Sequence, residues 1–136
     1  MTVFVLDSSA VIRYIDDEAG GDRVNAIFKA CVRRQAEARI SAVQWGEIAG
    51  DLRKRRGASH QKRILDSLIP FELEIVPASA ERAVHAAELR VDRKISYADA
   101  FALELAMDSP DHVLVTADYD FEAVDDLARI EFLPAK

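Results

Sequence analysis

Cysteine is almost missing from this 136-residue chain, where Cys31 stands alone. A single thiol can form neither an internal disulfide nor a thiolate zinc cluster, which fits a reducing compartment and leaves Cys31 as buried filler. No apolar run approaches the roughly 18 to 20 residues of a membrane-spanning helix. The opening Met-Thr-Val-Phe-Val-Leu-Asp has neither a basic leader nor a small-residue cleavage site, so a cytoplasmic location is expected. Proline and glycine are scarce, at four and five residues, and no linker, repeat or low-complexity segment divides the chain. With 50% hydrophobic residues, positions 1–136 are expected to form a single domain whose core lies under two or three layers.

An excess of positive charge is also lacking. The net charge of −6 argues against a protein that coats nucleic acid nonspecifically. The average hides a division, however. Asp51 to Arg63 holds six Lys/Arg against one acid, whereas Ala98 to Asp126 holds nine acids and no Lys or Arg. One surface could grip phosphates while another concentrates cations.

What is present is a series of short apolar runs separated by helical patterns. Val3–Leu6 reads as a buried strand, ended by Asp7-Ser8-Ser9 as a helix start. Ala10, Val11, Tyr14 and Ile15 show helical spacing up to Gly20-Gly21, and Val24, Ile27, Phe28, Cys31 and Val32 repeat it. Arg39–Ala42 looks like an edge strand. Trp45, Ile48, Ala49 and Leu52 mark a helix ending near Gly57, and His60–Leu68 forms another, closed by Pro70. Glu72–Val76 alternates as a strand. Ser79 opens a helix with Val84, Ala87 and Val91 on its inner face, and Ser96 opens one with a Tyr97, Phe101, Ala102, Leu105 stripe. His112–Thr116 and Ile130–Leu133 complete the strands, with a short helix from Asp118 between them. Continuous rather than alternating apolar strands between helices predict a three-layer α/β/α fold around a short, mostly parallel sheet.

Ligands in such folds bind beyond the strand C-termini, and there four acids gather: Asp7, Glu47, Asp99 and Asp118. Side by side, carboxylates repel by roughly 3 to 4 kcal/mol per close pair at a partly buried site, so the cluster calls for protons or divalent cations. Each acid also has an ordinary reading. Asp7 and Asp118 stand where helix N-caps would, and Asp99 stands three residues after Ser96 in a capping-box spacing. Glu47 lies opposite the apolar stripe of its helix, on a solvated face or on one approached closely by another element or a partner. The flanking Gly46 and Gly50 favour close approach, because each is about 1 kcal/mol worse than Ala in a helix interior. Caps alone would not require all four acids in these settings.

Taken in order, the motifs resemble the PIN domain, and within it the small VapC-like toxins of toxin–antitoxin pairs. DSSAVI resembles that family's first acid motif, AVQWGEIAG its second, ISYADAFALELA its third and VLVTADYDF its fourth. The likeness spans nearly the whole chain, although Trp45-Gly46 departs from the aliphatic or alanine residues expected before Glu47.

The resemblance implies an endoribonuclease. In it, Asp7, Asp99 and Asp118 would ligate Mg²⁺ or Mn²⁺, Glu47 would orient a water or a second ion, and the Thr116 hydroxyl would bond a bound water or a neighbouring carboxylate. It also implies an antitoxin whose extended, arginine-bearing tail fills the acidic groove, and a homodimer. The apolar early helices from Val11 to Val32 offer either its interface or core. Ser8 and Ser9 either donate to the site or cap the helix. Asp120 reads as a surface acid, and Arg53, Lys54, Arg55, Arg56, Lys62 and Arg63 read as RNA-backbone contacts or a solvated helix end.

Competing functions are a PIN-fold RNA- or protein-binding module without catalysis, and an aspartate-based phosphotransfer protein. The intact acid set opposes the first. A phosphatase would want Asp where Ser9 stands, and a receiver would want paired acids in the first loop.

Overall fold

The computed structural model describes residues 1–136. Five strands, β1 (Thr2–Leu6), β2 (Ala36–Ser41), β3 (Glu74–Val76), β4 (Val113–Thr116) and β5 (Arg129–Phe132), form one sheet in the order β3-β2-β1-β4-β5. Every pairing is parallel. Six helices join them: α1 (Ser8–Ile15), α2 (Gly21–Val32), α3 (Ala42–Arg56), α4 (Ala58–Leu68), α5 (Ala80–Arg93) and α6 (Tyr97–Ala106). Short 3-10 segments follow α4 and β4.

The pleat divides the core between the two faces of the sheet. Leu6 of β1 and Val115 of β4 face a cluster with Val11, Ile27, Phe28, Ile48 and Leu52 from α1, α2 and α3. Their neighbours Val5 and Leu114 face a second cluster with Leu103 and Leu105 of α6. The expected three-layer α/β/α arrangement is therefore present. The chain runs outward from β1 to β2 and β3, then returns to place β4 on the other side of β1. The carboxyl ends of β1 and β4 thus flank the point where strand order reverses, where doubly wound sheets form their binding crevice.

Two expectations change, and one open alternative is decided. The strand at 39–42 is β2, which starts at Ala36 and lies inside the sheet between β1 and β3. Its exposed-looking Arg39 pairs with Glu74 of the true edge strand at 3.1 Å. The inner face of α5 is not Val84, Ala87 and Val91, for Val84 and Val91 are 59% and 74% exposed. Ala83, Ala86 and Leu89 turn inward instead, against Ala100 and Phe101 of α6. Small residues allow that close packing, and the rotation lets Arg82 reach Glu104 and Asp108, both at or under 3.0 Å. Leaving the buried Glu104 unpaired would cost more than exposing two valines. Finally, Val11, Val24, Ile27 and Phe28 are buried, so the early helices form core. Cys31 is buried, as expected.

Candidate active site

β1 delivers Asp7 to the switch point. Its backbone N–H donates to the Val115 carbonyl of β4 at 3.0 Å, extending the ladder by one residue. Asp7 occupies the N-cap position of α1, yet its side chain caps nothing. Its Oδ2 accepts from the Ser9 hydroxyl at 2.6 Å and from the Thr116 hydroxyl at 2.8 Å. Both hydroxyls use Oδ2, so Oδ1 carries neither. The carboxylate is only 3% exposed. Burial pushes its pKa up, opposed by the two hydroxyls and reinforced by the nearby Asp118 charge.

Thr116, fully buried at the end of β4, also accepts from the Asp118 backbone N–H at 2.9 Å. Ser9 accepts from the Ala117 N–H at 2.9 Å. One hydroxyl from α1 and one from β4 therefore lock Asp7 to the turn that leads to Asp118. Ser9 is an orienting residue rather than a cap. The signal for it was the DSS run after β1, but sequence spacing cannot show that β4 ends beside it.

Asp118 does cap, since its Oδ1 accepts from the Asp120 N–H at 2.9 Å. Asp120 itself is exposed. Asp99 makes half of the capping-box arrangement: its N–H donates to Ser96 Oγ at 3.1 Å. The Asp99 carboxyl is pushed from 3.8 to about 6, first by burial, then by the charges of Asp7 and Asp118, with Glu47 adding a smaller push. Glu47 accepts from the Ser8 hydroxyl at 3.1 Å. Glu47 is exposed, and its pKa is raised first by partial desolvation and in part by Asp7. The electrostatic coupling thus joins all four predicted acids.

None of the four forms an ion pair with Lys, Arg or His. Nor are three acids, histidines or cysteines already drawn into a ligand shell, as expected of like charges without a counter-ion. An all-oxygen donor set around a buried carboxylate whose Oδ1 receives neither hydroxyl suits a hard divalent cation.

The glycines beside Glu47 meet no other element, because a Cβ built on Gly46 or Gly50 has nothing within 4 Å. Of the close approaches that those residues pointed to, only one from outside the chain remains. The basic segment is partly neutralised. Arg55 pairs with Asp51 and Asp16, Arg56 with Asp16, and Lys62 with Asp66. Arg53 meets only Gln61, and Lys54 and Arg63 make no ion pair.

A parallel α/β domain with an uncompensated acid cluster at its switch point defines a class of candidate metal-binding proteins. Comparison makes the assignment narrower. The family model of the PIN domain matches residues 4–127, so the chain belongs to the PIN domain family. A search of curated proteins gave no match. Among solved structures, the chain is similar to DNA-bound VapBC from Salmonella typhimurium, with 17% identity, TM-score 0.72 and 97% and 98% of the two chains covered. VapBC2 from Rickettsia felis, bound to a fragment of promoter DNA, gives 18%, 0.71, and 97% and 99%. Mycobacterium tuberculosis VapC20, a sarcin-ricin loop cleaving toxin, gives 18%, 0.70, and 97% and 99%. At these identities the likeness establishes the shared fold.

Proposed function

We propose that this protein is a divalent-metal-dependent endoribonuclease and the toxin of a toxin–antitoxin pair. The observation that carries the reading is the coupled set Asp7, Glu47, Asp99 and Asp118, which lies at the switch point without a single cationic side chain to balance it. Support also comes from similar proteins described as toxins or as VapBC complexes.

Mg²⁺ or Mn²⁺ held by Asp7, Asp99 and Asp118 would supply an activated water and charge neutralisation at a phosphodiester. The protein's part is positioning. Thr116 and Ser9 hold the Asp7 carboxylate, the Asp118 side chain is set by its own cap, and Glu47, steadied by Ser8, orients water and takes up its proton. Within the basic segment, Arg53, Lys54 and Arg63 form no ion pair and are available to follow the RNA backbone.

A cytoplasmic nuclease of this kind needs restraint. An antitoxin tail could place an arginine among the acids and form a charge-assisted, bidentate pair in place of the cation. No helix is long and apolar enough to cross a membrane. A homodimer belongs to the same reading, and its apolar contact would fall on exposed residues such as Val84 and Val91. Sedimentation equilibrium tests this: a particle of one chain mass at every concentration rules the dimer out.

The deciding experiment is cleavage of a structured RNA pool by antitoxin-free protein with Mg²⁺, with Mn²⁺ and with chelator, beside Asp99→Ala. Metal-dependent cutting that disappears in the variant establishes the nuclease. RNA binding without cutting under every ion would establish the binding module instead.

A further inference from the structure

Helix α3 carries Glu47 and α6 carries Asp99, and one side chain joins the first turns of both. Gln44, one turn before Glu47, is fully buried. Its Nε2 donates to the Ala98 carbonyl at 2.5 Å, immediately before Asp99. The N–H of the same peptide unit, that of Asp99, donates to Ser96 Oγ, so the peptide leading into Asp99 is held at both of its ends, from within α6 and from across the gap.

The other end of the amide is unsatisfied, since Gln44 Oε1 is buried with no partner. An amide carbonyl shut away from water without a donor costs the fold stability. A leucine would continue the buried row formed with Ile48 and Leu52 and carry no such cost. Packing alone therefore gives no reason for glutamine here, whereas its location between two acids of the site does.

We propose that Gln44 is a positioning residue that sets the spacing of Glu47 and Asp99 by tying the first turn of α6 to α3. What the spacing serves rests on the ribonuclease reading. How it is set rests on the hydrogen bond alone. Local tethers of this kind act on rate rather than affinity, because the acids must hold their geometry through the transition state.

Gln44→Leu and Gln44→Met test the tether against the unaltered protein by thermal unfolding, amide hydrogen exchange and steady-state RNA cleavage with Mn²⁺. Both variants should fold at an equal or higher Tm, with exchange at the Asp99 and Ala100 amides accelerated several-fold. Their kcat should fall about tenfold with KM unchanged. Unchanged exchange with unchanged kcat overturns the proposal, as does a loss carried by KM alone. Should the unaltered protein cut no RNA, the ribonuclease reading fails by itself, and the exchange data still decide the tether. Should both variants fail to fold, the Gln44 side-chain amide protons of the unaltered protein decide it: slow exchange with water supports the tether, and exchange at the rate of an exposed glutamine overturns it.

Discussion

Asp99 shows how a residue of the proposed site can work against the fold that carries it. Its carboxyl is raised to about 6 by burial and by neighbouring acids, so in the metal-free protein the folded state binds its proton more tightly than the unfolded chain does. Between the unfolded value of 3.8 and about 6, the native state holds more protons, and stability falls as pH rises through that window. Asp99→Asn removes the repulsion. At pH 7 without metal the variant should melt at a higher temperature than the unaltered protein, lose cleavage, and show a smaller rise in Tm on adding Mg²⁺. A variant that melts lower would mean that Asp99 is not under strain from its neighbours. Protons and cations compete for the same oxygens, so in the unaltered protein metal affinity should weaken as pH falls below about 6. Calorimetric titration with Mn²⁺ at stepped pH measures this.

Thr116 belongs to the same scale. Its hydroxyl donates to Asp7 Oδ2 and accepts from the Asp118 N–H, so Thr116→Val loosens two of the proposed ligands while keeping the shape of the side chain. Metal affinity should drop by roughly 10- to 100-fold, as for other residues that orient ligands. Equal Mn²⁺ affinity in the two proteins would show that Asp7 is held well enough by Ser9. The bond to Asp7 could not be assigned from sequence, because Asp7 and Thr116 are 109 positions apart.

At the scale of elements, α3 holds the clearest tension. Gly46 and Gly50 weaken the interior of a 15-residue helix and have open space where a side chain would stand. Gly46→Ala and Gly50→Ala should each stabilise the fold by about 0.5 to 1 kcal/mol, read by urea unfolding. If cleavage falls while stability rises, the bare face beside Glu47 is where substrate or antitoxin approaches. Unchanged cleavage and unchanged antitoxin binding would leave the glycines without a contact role. Helix α5 teaches the complementary lesson. Its valines had the right spacing for an inward stripe, but the Arg82 pairing with Glu104 and Asp108 turned a different face inward. Periodicity ranks residues by hydropathy and has no knowledge of a buried acid on the neighbouring helix.

For the whole molecule, the proposed ribonuclease reading asks a chain of net charge −6 to bind a polyanion. Asp16, Asp51 and Asp66 neutralise Arg55, Arg56 and Lys62, so the basic segment contributes less than its composition indicates. Lys54→Ala and Arg63→Ala should each weaken RNA binding uniformly across sequences and reduce the slope of log affinity against log salt by roughly 0.7. Arg55→Ala, already paired within the chain, should change that slope little. A slope reduced equally by all three would show that the Arg55 ion pairs open when RNA binds.

The sequence by itself determined the layered α/β class and the strand-to-acid junctions at Asp7 and Asp118, and it named the four acids on which the proposed site rests. These depend on short-range patterns: apolar runs of strand length, helical spacing, and acids at element ends. Only the tertiary structure decided the rest. β2 lies inside the sheet because β3 pairs along its far side, the early helices are core because the sheet covers them, and α5 is turned by an ion pair. Ser9 became an orienting group and Gln44 a bridge between helices because distant segments meet there. Hydrogen bonds and ion pairs act over a few ångströms, and the separations they span along the chain are set by the fold.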